Sequence, residues 1–343
     1  MATGETVPSS VGAKLISQGE VQKDKSRSPQ KDGAHPFSDK IMSLRAEYFA
    51  YPCRFPFWSQ TRGTKWDTHR TYLELWYGDA LNFVRLVPSK GTLAAAILGF
   101  RVDLPMYAVD LEIIGDSYSI IDHKEFVEEE GEEDDREDCS EELEDLPLIS
   151  PDAALHFVKK PSYRSELLNL RRCKGSPHVV QLLGKTETGD LVFEKFPSDL
   201  FIFSLRNPQM VTVATIKQFM LHLIDAVADI HSRGIIHRDL VLRNLLYSGD
   251  ISKPVVIADL QSRWGSGVCA APEVRDQKNF STASDVYALS TCLMQFIVPV
   301  NPRHPFVEYP IPAPFDVIYK VCVQEEIHKR PSLAELRTMV EKI

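Results

Sequence analysis

His231-Ser232-Arg233-Gly234-Ile235-Ile236-His237-Arg238-Asp239-Leu240-Val241-Leu242-Arg243-Asn244-Leu245-Leu246 is the stretch on which the fold is decided. Upstream, Ile216, Met220, Leu223, Ile224, Val227 and Ile230 recur at helical spacing, which predicts a long buried helix ending at Gly234. Downstream, Val255-Val256-Ile257-Ala258 reads as a buried strand that ends in Asp259. Asp239 and Asn244 therefore sit five residues apart on a loop leaving a helix, with a second carboxylate at a nearby strand end. Phosphoryl transfer calls for this set. One carboxylate accepts a hydroxyl proton, while an amide and another carboxylate hold magnesium over the phosphates. Singly, each residue has a plainer reading as a turn, a helix cap or a strand end. In this order and combination they point to chemistry.

The stretch resembles the catalytic loop of eukaryotic protein kinases, HRDLxxxN. Further matches follow in order: Ala271-Pro272-Glu273, the helix around Ser284-Asp285-Val286-Tyr287, and Arg330-Pro331. The likeness is strong from about Val179 to Ile343. It implies a bilobal α+β protein-kinase-like fold with a divergent small N-lobe, and a fungal-type Ser/Thr kinase-like protein is one reading within the family. It also implies ATP and Mg2+ between the lobes. Asp239 would deprotonate the substrate hydroxyl, and Asn244 and Asp259 would hold the metal.

The family's Asp-Phe-Gly reads Asp259-Leu260-Gln261 here, and Gln tolerates fewer backbone angles than Gly. Gly265-Ser266 resembles the Ser/Thr-kinase pattern, whereas Leu242-Arg243-Asn244 is closer to the tyrosine-kinase pattern. The small half is less regular. Gly115-Asp116-Ser117 is the one candidate for a glycine-rich phosphate loop. The nucleotide lysine falls on Lys159 or Lys160. With Lys159, Phe157 takes the small-residue place that roofs the adenine; with Lys160, Val158 does. Glu166 matches the helix glutamate that pairs with this lysine, although only six residues separate it from Lys159.

The chain has 343 residues and a net charge of −9. Between 125 and 145 there are fourteen Asp or Glu and one Arg, a local charge of −13, so the remainder carries −9 + 13 = +4. Charge at that density predicts an extended, solvated loop and suits a basic partner. The six cysteines form no CxxC pair, which argues against a zinc site or a disulfide framework. The beginning shows no secretory signal, and no apolar run is long enough to span a bilayer.

These features predict a disordered tail over 1–42 and an extension over 43–105 packed on the next domain. They predict a kinase-like domain over 106–343, with its helical lobe at about 197–343. The expected function is ATP-dependent phosphotransfer to protein Ser/Thr hydroxyls. The alternative is a pseudokinase, an interaction module without catalysis. Protein substrate and ATP are the expected partners, without nucleic acid or membrane, in the cytoplasm or nucleus.

Overall fold

A computed structural model describes residues 36–49, 60–67, 72–99, 102–127, 135–261, 270–274, 278–299 and 309–343. A helix, α1 (Pro36–Phe49), leads into five strands: β1 (Thr61–Asp67), β2 (Tyr72–Tyr77), β3 (Asn82–Val87), β4 (Leu111–Ile114) and β5 (Ser117–Ile120). They form one sheet in the order β1-β2-β3-β4-β5. In Tyr72-Leu73-Glu74-Leu75-Trp76-Tyr77 every second side chain is buried, the period of a half-buried strand. β3 and β4 are parallel, which requires a crossover. Helix α2 (Leu93–Leu98) supplies it, with its apolar face buried. Strand pairing thus continues across the boundary expected at residue 105, and the candidate Gly115 loop is the β4–β5 turn of this sheet.

Among the described residues a second sheet has three strands, β6 (His156–Lys159), β7 (Leu182–Lys185) and β8 (Leu191–Glu194), in the order β6-β8-β7. Between β6 and β7 lies helix α4 (Arg164–Arg172), preceded by the short helix α3 (Ser140–Leu143). The helical part follows. It comprises α5 (Leu200–Arg206), α6 (Val213–Ser232), α7 (Thr282–Ile297), α8 (Asp316–Cys322) and α9 (Leu333–Glu341). Residues 284–297 of α7 are all buried, as suits the central post of a lobe. Strands β9 (Ser198–Asp199), β10 (Leu245–Tyr247) and β11 (Val256–Ile257) form a small sheet under the cleft.

Two expectations fail here. The disordered tail was to reach residue 42, yet α1 begins at Pro36; residues 1–35 lie outside the described part. Phe37 and Ile41 are buried, and the Phe37 ring meets Phe315 at 5.8 Å. Arg45 is 4% exposed, and its guanidinium donates to the carbonyls of Ile297, Phe296 and Ser204, each at 2.7 Å. These carbonyls belong to the last turns of α7 and α5, where helical partners run out. Burial lowers the Arg45 pKa to about 10. Three anchors among polar neighbours suffice to dock a helix that averaged composition does not reveal. Arg45→Ala should strip donors from three carbonyls and cost about 3 kcal/mol, read as a lower urea midpoint with an unchanged slope.

The second failure concerns the acidic run. Residues 135–145 are not a free loop, although most of their side chains are exposed. Cys139 is buried, α3 lies in this segment, and Leu143 and Leu146 pack on the core. The basic groups that meet this stretch come from the chain itself: Arg164, Arg171 and Lys185. Contact order hid them, since the partners lie 23 to 42 residues away.

Candidate active site

The cleft encloses about 490 Å3 between the three-stranded sheet and the helical part. Its lining includes Phe157, Lys159, Glu166, Asn244 and Asp259. That volume suits a ligand of nucleotide size. Lys159 closes β6, whose pairing with β8 fixes its direction. Its ammonium lies 2.9 and 3.1 Å from the two Glu166 oxygens and 2.7 Å from Asp259 Oδ1. Lys160 is exposed and takes no place in this cluster. The six-residue link is long enough because α4 starts inside it, at Arg164, so only residues 160–163 have to cross from the strand to the helix. Glu166 then falls in the first turn, on the buried face with Leu167 and Leu170.

Burial acts to lower the Lys159 pKa, but the Glu166 and Asp259 carboxylates outweigh it and raise it above the ordinary lysine value. Burial also opposes ionisation of Asp259, and Lys159 with Gln261 overrides that and holds its carboxyl below the usual range. For Glu166 burial dominates and pushes the carboxyl up. The cluster is thus poised around one cation.

The helical part sets the other side. The Asp285 carboxylate, buried on α7, accepts the N–H groups of His237 and Arg238 at 2.9 and 3.0 Å and meets His231 Nε2 at 2.8 Å. His237 Nε2 lies 3.0 Å from the Ala258 carbonyl, tying the loop to the residue before Asp259. Asn244 Nδ2 donates to the Asp239 carbonyl at 2.9 Å and to Asp239 Oδ2 at 3.1 Å. Arg238 (φ 75°) and Asp259 (φ 61°) both occupy the left-handed region. Such strain gathers at functional sites and persists only where neighbours over-determine it, as Asp285 and Lys159 do here.

Magnesium can be tested against these residues. Asp259 Oδ2 and Asn244 Oδ1 take no hydrogen bond among the described residues, and both side chains line the cleft. Magnesium is commonly held by one or two protein oxygens plus substrate phosphates, so the donor set fits. Among the described residues no three His, Cys, Asp or Glu side chains gather as a cage.

Some of the site escaped sequence reasoning. Gln261 stands where a glycine is expected, and its Nε2 donates to Asp259 Oδ1 at 2.7 Å. Leu260 is fully buried, and its carbonyl accepts from Asn169 at 2.9 Å. Phe193, within β8, and Phe196, two residues beyond its end, line the cleft. Phe157 also lines it but is 55% exposed, so it borders the space without filling it. The Gly115 turn belongs to the other sheet, and Gly265-Ser266 lies outside the described residues.

The comparisons with known proteins bear on the same region. The family model described as "Protein kinase domain" matches residues 155–335, more than half of the chain. The hormonally up-regulated neu tumor-associated kinase of Homo sapiens is 25% identical over 213 residues, 54% of this chain and 29% of its own length. Serine/threonine-protein kinase PDK1 of Cryptococcus neoformans is 31% identical over 204 residues, covering 48% and 17%. Calcium/calmodulin-dependent protein kinase type 1 of Macrobrachium nipponense is 30% identical over 146 residues, covering 38% and 42%. The chain thus spans less than half the length of these relatives. No helix among the described residues is long and apolar enough to cross a membrane. With a three-stranded sheet and a helical lobe on either side of the cleft, and with this match, the chain has the bilobal kinase fold and belongs to the protein kinase family.

Proposed function

We propose that the chain transfers the terminal phosphoryl group of ATP to serine or threonine hydroxyls of a protein substrate. The observation that carries this reading is that Lys159, Glu166, Asp259 and Asn244 line one cleft, where Asn244 bonds the Asp239 carboxylate. Asp239 accepts the proton of the attacking hydroxyl as its oxygen bonds to phosphorus and the bond to the leaving ADP breaks. Asn244 holds the Asp239 carboxylate by its amide. Lys159 exchanges its Asp259 contact for a phosphate oxygen, and Glu166 keeps the ammonium aimed. Asn244 and Asp259 hold magnesium, which supplies charge neutralisation when bound. The choice of serine or threonine rests on the printed names of relatives such as the serine/threonine-protein kinase above.

One observation favours a second reading, a non-catalytic interaction module. Among the described residues no strand pairs with the outer edge of β6, where the resemblance expects the glycine-rich strands. Titration of the full chain with ATP, with and without magnesium, separates the two. The enzyme reading expects magnesium-dependent binding, weakened roughly tenfold or more by Asp259→Asn, which removes a hard anionic oxygen. Wild type with neither such binding nor phosphate incorporation into protein substrates would leave only the module.

A further inference from the structure

Helix α4 carries Glu166 but has only nine residues, and its N-cap Tyr163 makes no side-chain cap hydrogen bond. The first N–H groups of any helix need acceptors from elsewhere. Here one comes from the acidic run. Glu137 Oε2 accepts the N–H of Arg164 at 2.9 Å, and the Glu137 N–H donates to the Ser162 carbonyl at 2.8 Å. A carboxylate at this end also complements the helix dipole. The Tyr163 hydroxyl donates to both oxygens of Asp135 at 2.9 Å. Arg164 reaches back to the Asp138 carbonyl at 2.9 Å and to Glu141 at 3.0 Å.

The same segment then grips the far end of the helix and the sheet. Arg171, in the last turn, donates to the Glu142 carbonyl at 2.5 Å. Lys185 Nζ donates to the Leu143 carbonyl at 2.7 Å. Beyond it, Lys185 N–H donates to the Pro147 carbonyl at 2.9 Å and Ile149 N–H to the Lys185 carbonyl at 2.8 Å, so the chain lies along β7. Gly184 permits this approach, because a Cβ there would stand 2.3 Å from the Pro147 oxygen. The segment is fastened at both helix ends and at the sheet edge.

We infer that residues 135–149 form an intramolecular strap that seats the Glu166 helix, with Glu137 and Asp135 as positioning residues that act on Lys159 through Glu166. The strap's charged contacts are largely exposed, so its grip is weakened by salt. The consequence for nucleotide affinity rests on the proposed function above; the seating of the helix does not.

The full chain, Glu137→Ala and Glu137→Gln are compared by two readouts that need no nucleotide. Acylation of Lys159 by acetic anhydride at one fixed pH, followed by mass spectrometry, reports whether its amine is still held in the ion cluster, since a paired ammonium is protected. Hydrogen exchange compares amides 164–172 with those of α6. In Glu137→Ala, Lys159 should acylate about three- to tenfold faster, the loss expected for a missing helix cap. Amides 164–172 should exchange faster with α6 unchanged, and Glu137→Gln, which keeps an acceptor, should recover part of both effects. Unchanged Lys159 reactivity and unchanged exchange in 164–172 would overturn the inference. So would equal acceleration in α6, which would mark a general loss of stability. If wild type bound no ATP, the proposed function would fail while these readouts still decided the strap.

Discussion

Asp239→Asn is expected to lower phosphate transfer by roughly 10²–10⁴-fold while ATP binding stays close to wild type. Asp239 lies on the loop held by Asp285 and bonded by Asn244, and it is not among the groups around Lys159. The substitution is nearly isosteric and removes the proton-accepting carboxylate. Its kinetic signature is a fall in kcat and in kcat/KM for the protein substrate by similar factors. Radiolabel transfer from ATP, together with direct nucleotide titration, measures the two quantities separately. Loss of ATP affinity matching the loss of rate would contradict the role given to Asp239.

The second large effect concerns stability. Arg330→Ala should cost about 3–5 kcal/mol, the range for breaking a buried ion pair from one side. The Arg330 side chain is fully buried and grips Glu273 through two nitrogens, at 2.5 and 2.8 Å. It also donates to the Gln324 and Ala283 carbonyls at 2.8 and 3.1 Å and lies over the Tyr287 ring at 4.9 Å. Removing it strands Glu273 and two carbonyls together. Urea unfolding should show the loss, and activity should fall below the unfolding temperature as well. The reason is local: Ala270, Ala271 and Val274 flank Glu273 and line a hollow shared with Asp239. Glu273→Gln, which leaves an acceptor for Arg330, should cost less.

The helical lobe was legible because its chemistry is written in contiguous stretches. Residues 231–246 hold the loop, Asp285 and Arg330 sit in recognisable settings, and the 3.6-residue period of α6 is unbroken. The small lobe was less so. Glu166 was recognisable, but whether Lys159 or Lys160 faces it depends on which way the last residue of a four-residue strand points, and the pairing with β8 decides that. The acidic run misled because charge counts ignore partners. Arg164, Arg171 and Lys185 fasten a segment that would otherwise repel itself, and nothing local announces them. Gln261 was read only as a missing glycine, whereas its side chain bonds the carboxylate two residues before it.

The brace made by Arg45 has a bearing on where the smallest autonomous folding unit begins. The family match starts at residue 155, and a fragment cut there would seem complete by sequence. Such a fragment would lack Phe37 from the face of Phe315, and it would leave the carbonyls of Ser204, Phe296 and Ile297 without the guanidinium that now joins two helix ends. It would also discard the strap along β7 and bare that edge for pairing with other chains. The contacts that complete the helical lobe therefore begin more than a hundred residues upstream of the family match, and a fragment cut at residue 155 is expected to be less stable and more prone to edge pairing than the full chain.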